Sequence, residues 1–138
     1  MKEKYIRHDE ARAKYHMYGH TLLRATIGLL FLIMGFNKLI NPSGIIGMLG
    51  KIGFPAAAFF GWILLLSELI FGALILIGYK VRYTSWPLAI ILIVAVLTVV
   101  IPGEGISSAS AFFHYISIVA LISIAWTGPG EWAVSKVR

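Results

Sequence analysis

Four long apolar runs, separated by short polar or Gly/Pro-containing breaks, set the pattern of this chain. The first runs from about residue 22 to 40 and stops at Asn41-Pro42; the second, about 56–78, is interrupted only by Ser67 and Glu68. The third spans about 85–101 and the fourth about 108–127, before Gly128-Pro129-Gly130. Crossing the ~30 Å hydrocarbon layer takes about 20 helical residues, and each run meets that length. Nothing alternates with period two over strand length, which argues against strands. The pattern predicts an all-α polytopic membrane protein, a bundle of four transmembrane helices over residues 21–127. A polar N-terminal segment (1–20) precedes it and a tail (128–138) follows it.

The breaks differ in character. Residues 41–55 carry the apolar cluster Ile45-Ile46-Met48-Leu49 and are expected to form a short amphipathic segment at the outer surface. Val81 to Ser85 is read as a tight turn, with Trp86-Pro87 opening the third helix. Proline is tolerated there because an early helical N–H has no partner within the helix. Pro102-Gly103-Glu104-Gly105 is read as a flexible loop. Thr98 is the only polar residue inside the third helix, which is therefore expected to face lipid.

Composition supports lipid as the solvent. Of 138 residues 59% are hydrophobic and 13% charged, with a mean hydropathy of +0.85. A soluble domain carries roughly 25% charged residues. The absence of cysteine excludes disulfide chemistry, thiolate-held iron–sulfur clusters and covalently attached c-type haem. The net charge of +6 sits at the ends of the apolar runs, a topological signal rather than a nucleic-acid footprint. With the N-terminus inside, Lys2, Lys4, Arg7, Arg12, Lys14, Arg24, Lys80, Arg82, Lys136 and Arg138 face the cytoplasm, and only Lys38 and Lys51 face outward. The positive-inside rule then predicts a cell-membrane protein with both termini cytoplasmic. Tyr15, Tyr18, Tyr79, Tyr83, Trp86, Trp126 and Trp132 fall near that inner interface as an aromatic belt. Met1 to His20 lacks an apolar h-region, so the first run is expected to stay as a span.

The polar residues within the runs carry the candidate chemistry. Arg24, Gly28, Phe31, Gly35 and Lys38 share one stripe of the first helix, and Gly61, Leu65, Glu68, Gly72 and Ile75 one stripe of the second. Small residues let helix backbones approach closely in lipid, so Gly28, Gly35, Gly61 and Gly72 are expected to pack the helices together. Glu68 lies near mid-span, where an acidic side chain costs at least ~2.5 kcal/mol on insertion scales. It must be paired, protonated or wetted, with Arg24 or Lys38 as partner. Each cation is expected about 10 Å from the depth of Glu68 by helical rise, so that water or snorkelling would bridge the gap. Three readings stay open: a structural clasp, a proton-handling or ligand-binding carboxylate, and a partner contact. His114, near the outer end of the fourth helix, is one intramembrane histidine where a six-coordinate haem needs two axial ligands. Asn37, Ser108 and Ser110 are expected to add polar contacts to an outer pocket. His16 and His20 are four apart, but no third ligand accompanies them and no metal site is expected.

These residues resemble the DoxX family. Arg24-x3-Gly28-x2-Phe31-x3-Gly35-x2-Lys38 is similar to its opening signature, Glu68-x3-Gly72 and Leu76–Arg82 to the end of its second helix, and Thr127–Val134 to its closing motif. The likeness covers about residues 21–136. Two positions depart from the pattern: Ser135 is followed by Lys136 rather than completing a Ser-Leu-Asp-like triplet, and His114 stands where many members carry a Glu. The resemblance implies a four-helix membrane subunit associated with a quinone-linked or other membrane oxidoreductase system. A quinone is the cofactor this leaves open, since no motif holds a flavin, haem or metal. A quinone slot needs apolar walls and a proton-exchanging group. Glu68 or His114, lined by Phe31, Phe36, Phe112 and Phe113, is the expected site. Expected partners are the lipid bilayer and other membrane or peripheral redox proteins, or further copies of the chain, with no nucleic acid. The alternatives are a non-catalytic scaffold or assembly factor and a small-lipophile binder.

Overall fold

The computed structural model describes the backbone of residues 2–135 and the side chains from residue 12 onward. The basic residues Lys2, Lys4, Arg7, Lys136 and Arg138 therefore have side chains outside the described part. Among the described residues all the regular structure is helical, and four helices are long and apolar enough to cross a membrane.

Helix α1 runs unbroken over Lys2–Ile40. At 1.5 Å per residue it is ~58 Å long, about twice the hydrocarbon thickness. The polar segment before residue 22 thus continues the same helix beyond the bundle, and residues 12–19 are exposed. Helix α2 (Pro42–Lys51) opens on a proline and buries Ile45 and Leu49. Helix α3 covers Ala57–Ile77.

The turn after α3 is shorter than the sequence suggested. Gly78 (φ +77°) and Lys80 (φ +42°) take left-handed conformations, and Val81 already begins α4, Val81–Glu104. Pro87 thus stands inside the helix, where it spares only the hydrogen bond to the Tyr83 carbonyl. Residues 102–104 are helical rather than a loop, because α4 continues through a π-helical turn at Val96–Val100. There the Ile101 N–H reaches back five residues to the Val96 carbonyl. Helix α5 (Ala109–Thr127) is capped by the Ser108 hydroxyl, which accepts from the Ala111 N–H at 3.1 Å.

Around the bundle α1 packs mainly on α3 and α4 on α5, with lighter contacts closing α3 to α4 and α1 to α5. Three glycines set the α1–α3 seam. A Cβ on Gly28 would lie 2.6 Å from the Leu76 nitrogen, one on Gly35 2.9 Å from that of Leu69, and one on Gly72 2.9 Å from that of Leu32. In each pair the residue numbers add to 104, so the helices are antiparallel in one register with residue 38 opposite residue 66. Gly61 does not join this seam; it receives Ile46 of α2. Of the four glycines expected to pack the helices together, Gly61 thus serves a different pair, because α1 ends at Ile40 and α2 lies beside the first turns of α3.

The solid core lies in the half of the bundle where the segment after α5 meets α1 and the end of α3. Ile27, Phe31, Ile75, Val81, Leu88, Ala89, Leu92, Ala120, Leu121 and Ile124 are packed there. Helix α4 supplies four of these and is the most buried of the four spans, so it does not simply face lipid. Its uniform aliphatic surface hides a two-sided role, with Ile90, Ile93, Val94 and Leu97 outward and Leu88, Ala89 and Leu92 inward. All seven aromatic residues of the expected belt are exposed.

Arg24 ties the chain together at this end. Its guanidinium is 3% exposed and donates to the Glu131 and Trp132 carbonyls at 3.4 and 3.3 Å. Thr21 Oγ1 donates to the Glu131 carbonyl as well, and the Val134 and Ser135 N–H groups donate to the Ile77 and Gly78 carbonyls. The segment after α5 is thereby strapped across α1 and the end of α3. Hydrogen bonds from a charged donor contribute about 1.5–3 kcal/mol. Replacing Arg24 with alanine is accordingly expected to speed hydrogen exchange at the Val134 and Ser135 amides by roughly tenfold or more (~1.4 kcal/mol per tenfold); unchanged protection would show that the strap holds without it.

Candidate functional site

The opposite half of the bundle is hollow. A partly open cavity of about 420 Å³ lies between all the helices there. That is within the usual range of ligand pockets, roughly 300–1,000 Å³. Aliphatic side chains form most of its wall: Met34, Ile45, Met48, Leu49, Ile63, Leu64, Ile90, Ile91, Val94 and Val99 among them. Its polar members are Lys38, Glu68, Thr98, Glu104, Ser110 and His114.

Lys38 and Glu68 meet directly. Nζ of Lys38 donates to both carboxylate oxygens, at 2.6 Å to Oε1 and 2.5 Å to Oε2. The Glu68 side chain is 5% exposed and that of Lys38 25%, so the carboxylate is sealed and the ammonium reaches the cavity. The expected 10 Å separation does not exist. It assumed that the two helices share one span, whereas the glycine register sets residue 38 opposite residue 66, within a turn of Glu68. An ammonium has three N–H donors, and two are directed at the carboxylate, leaving one for a further acceptor.

His114 lines the same cavity and lies close enough to Glu68 to interact with it electrostatically. Its Nδ1 is 2.7 Å from the Ser110 carbonyl of its own helix. A carbonyl can only accept, so Nδ1 carries the hydrogen and Nε2 is the nitrogen left to exchange a proton. Thr98 Oγ1 donates to the Val94 carbonyl at 2.8 Å. Thr98 belongs to the π-helical turn, whose residues 98–100 form part of the cavity wall. Such turns are frequent at functional sites. They also widen the helix locally, which turns Thr98 and Val99 toward the space facing Glu68's helix.

The other candidate residues lie elsewhere. Arg24 is bound into the C-terminal strap in the solid half and has no contact with Glu68. Asn37 is exposed and outside the cavity, because one position along α1 turns its side chain away from Lys38. Ser110 lines the cavity while Ser108 caps α5. Phe31 is buried in the core, and Phe36 and Phe112 are exposed. The aromatic residues on the cavity wall are instead Phe54 and Phe60, from the α2–α3 connection and the start of α3. The sequence signal for these two was their place next to the α2 apolar cluster. Glu104 had been assigned to a loop and was missed for that reason. Gly28, Gly35 and Gly72 pack α1 against α3, and Gly61 packs α3 against α2. His16 and His20 border a separate surface hollow with Arg12 and Tyr15. Among the described residues no group of three or more His, Cys, Asp or Glu is placed to hold a metal.

Comparison with known proteins places this architecture. The chain is 30% identical over 126 residues to a Mycobacterium tuberculosis (strain ATCC 25618 / H37Rv) protein named "Uncharacterized membrane protein Rv3486", an alignment covering 83% of this chain and 77% of the relative. It is 32% identical over 110 residues to a Bacillus subtilis (strain 168) protein named "Putative oxidoreductase CatD", covering 80% of this chain and 79% of that one. No solved structure matches. The sequence model of the DoxX family matches residues 19–101, a stretch that holds α2, α3, the Lys38–Glu68 pair and most of α1 and α4. On that match and these two relatives, this four-span membrane chain belongs to the DoxX family.

Proposed function

We propose that the chain is a membrane subunit serving an oxidoreductase system, and that it binds a quinone or quinol in the cavity beside Lys38 and Glu68. One observation carries this reading: an apolar cavity lined by the Lys38–Glu68 ion pair and by a histidine whose Nε2 is left to exchange a proton. A quinone carbonyl fits the spare Lys38 donor, and quinol formation or oxidation requires a proton acceptor such as His114 Nε2 or Glu68. The ring stacks among aliphatic side chains and Phe60. The chain supplies binding, orientation and proton exchange, and a partner redox protein supplies or takes the electrons. The name of the Bacillus subtilis relative supports the oxidoreductase association in this broad form. In a cell membrane the basic end, with both termini, faces the cytoplasm by the positive-inside rule.

The test is retention of decylubiquinone by the chain purified in mild detergent. Glu68→Gln keeps the shape but removes the charge that holds Lys38 in place. It is expected to cut retention roughly tenfold, ~1.4 kcal/mol, in line with loss of a charge-assisted hydrogen bond. Equal retention by wild type and variant would count against the quinone reading.

A second reading is favoured by one observation. Lys38 and Glu68 join the same two helices, in the same register, as the glycine contacts. The pair would then be a clasp in a scaffold or assembly factor. On that reading Glu68→Gln lowers bundle stability in detergent while capture of a membrane or peripheral partner persists.

A further inference from the structure

The cavity has a side as well as an end, and the side is apolar. Its wall between α3 and α4 includes Ile63, Ile90 and Val94, which are 43%, 57% and 46% exposed on the outside of the bundle. Ile63 lies seven residues into α3 and Ile90 ten residues into α4, so these exposed side chains stand within the spans rather than at their ends. Helix α3 meets α4 much less extensively than it meets α1. A side chain that is exposed outside and lines the cavity inside marks a thin place in the wall. What lies outside this part of a spanning helix is hydrocarbon.

We infer that the cavity is filled from the hydrocarbon phase through the seam between α3 and α4, and that its ligand is a carbonyl-headed lipophile whose aliphatic tail lies in that seam. This deepens the preceding reading and rests on it for the head-group site. Three features converge on this class of ligand. The Glu68 side chain is 5% exposed and that of Lys38 25%, so the Lys38 ammonium is the charged donor presented to the cavity, which favours an acceptor such as a carbonyl oxygen. The aliphatic cavity wall offers a tail dispersion contacts and no polar partner. The seam residues Ile63, Ile90 and Val94 bound the seam with aliphatic groups on both helices. A water-soluble ring with no tail would leave that seam unused.

The experiment uses the full chain in phospholipid nanodiscs, with retained probe quantified after rapid filtration. Three probes are compared: decylubiquinone, the same ring without a tail, and palmitate as a second carbonyl-headed lipophile. The plugging variant is Ile90→Trp/Val94→Trp, at two exposed positions of α4 on the seam. Wild type is expected to retain decylubiquinone at least tenfold better than the tailless ring, relative to empty nanodiscs. The plug is expected to abolish that advantage, leaving decylubiquinone retained no better than the tailless ring. Equal retention of tailed and tailless rings, or a plug without effect, overturns lateral access. A plug that changes the number of chains per nanodisc instead of retention also overturns it, since the seam would then be an interface between copies. Glu68→Gln is run in parallel and separates the two claims. If it leaves decylubiquinone retention intact while the plug removes it, the head-group reading falls and lateral access stands. If palmitate alone is retained and lost on plugging, the quinone is wrong and the lipophile class is right. Retention of none of the three overturns both.

Discussion

Replacing Lys38 with methionine is expected to lower the unfolding free energy of the bundle by about 3–5 kcal/mol, the usual result of leaving one member of a buried ion pair alone. Both oxygens of the Glu68 carboxylate take their hydrogen bonds from Lys38 Nζ, and the side chain is 5% exposed. Methionine retains the length and apolar stem of lysine, so the loss reports the charge rather than a cavity. The informative variant is the double one. Lys38→Met combined with Glu68→Leu removes both charges, and replacing a buried pair by apolar residues is often neutral or stabilising. Most of the lost stability is therefore expected to return. Unfolding by sodium dodecyl sulfate titration in mixed micelles, for the two single variants and the double, measures the coupling. A double variant as unstable as the single would locate the defect in packing instead.

Comparable damage is expected from a single methyl group at Gly28. A Cβ there would lie 2.6 Å from the Leu76 nitrogen and 2.7 Å from its Cα, and backbone atoms cannot swing aside. Helices α1 and α3 would have to separate, which also loosens the approaches at Gly35 and Gly72 and the ion pair above them. Gly28→Ala should cost about 3 kcal/mol, the upper end of ordinary overpacking, and Gly28→Leu should leave no stable bundle. Gly19→Ala is the matched control. Nothing lies within 4 Å of its Cβ position, and it sits on the projecting part of the same helix. There alanine should stabilise by up to about 1 kcal/mol through helix propensity alone. Helix content and the detergent-unfolding midpoint of the three variants test the contrast. Equal effects at residues 19 and 28 would show that the glycine seam does not govern association.

The number of spans was legible because each apolar run meets the bilayer length by itself, without help from the rest of the chain. Glu68 was legible for a similar reason: a mid-span acid stands out against hydrocarbon wherever it points. Its partner was not. Choosing between Arg24 and Lys38 needed the relative depth of two helices, and that depth is set by α2 occupying the place beside the first turns of α3. Arg24 finds its acceptors 107 and 108 residues away, a pairing that no local pattern encodes. The ends of α4 were misplaced because Pro87 and Pro102-Gly103 read as breaks, while the spans around them tolerate both. The π-helical turn lies in Val-Leu-Thr-Val-Val, a stretch with no marker beyond one threonine. The cavity itself is a shortfall of packing, and sequence records which side chains are present rather than how well they fill space.

Solid packing in one half of the bundle and a hollow in the other also give the molecule a handedness across the membrane. The seam between α3 and α4 leads into open space beside the cavity; toward the start of α4, Val81, Leu88 and Ile124 close the interior. A lipophile anchored in one leaflet would thus meet the opening, whereas the same molecule in the other leaflet would meet a wall. On the lateral-access proposal, access would then depend on how often such a molecule flips between leaflets, with no moving gate required.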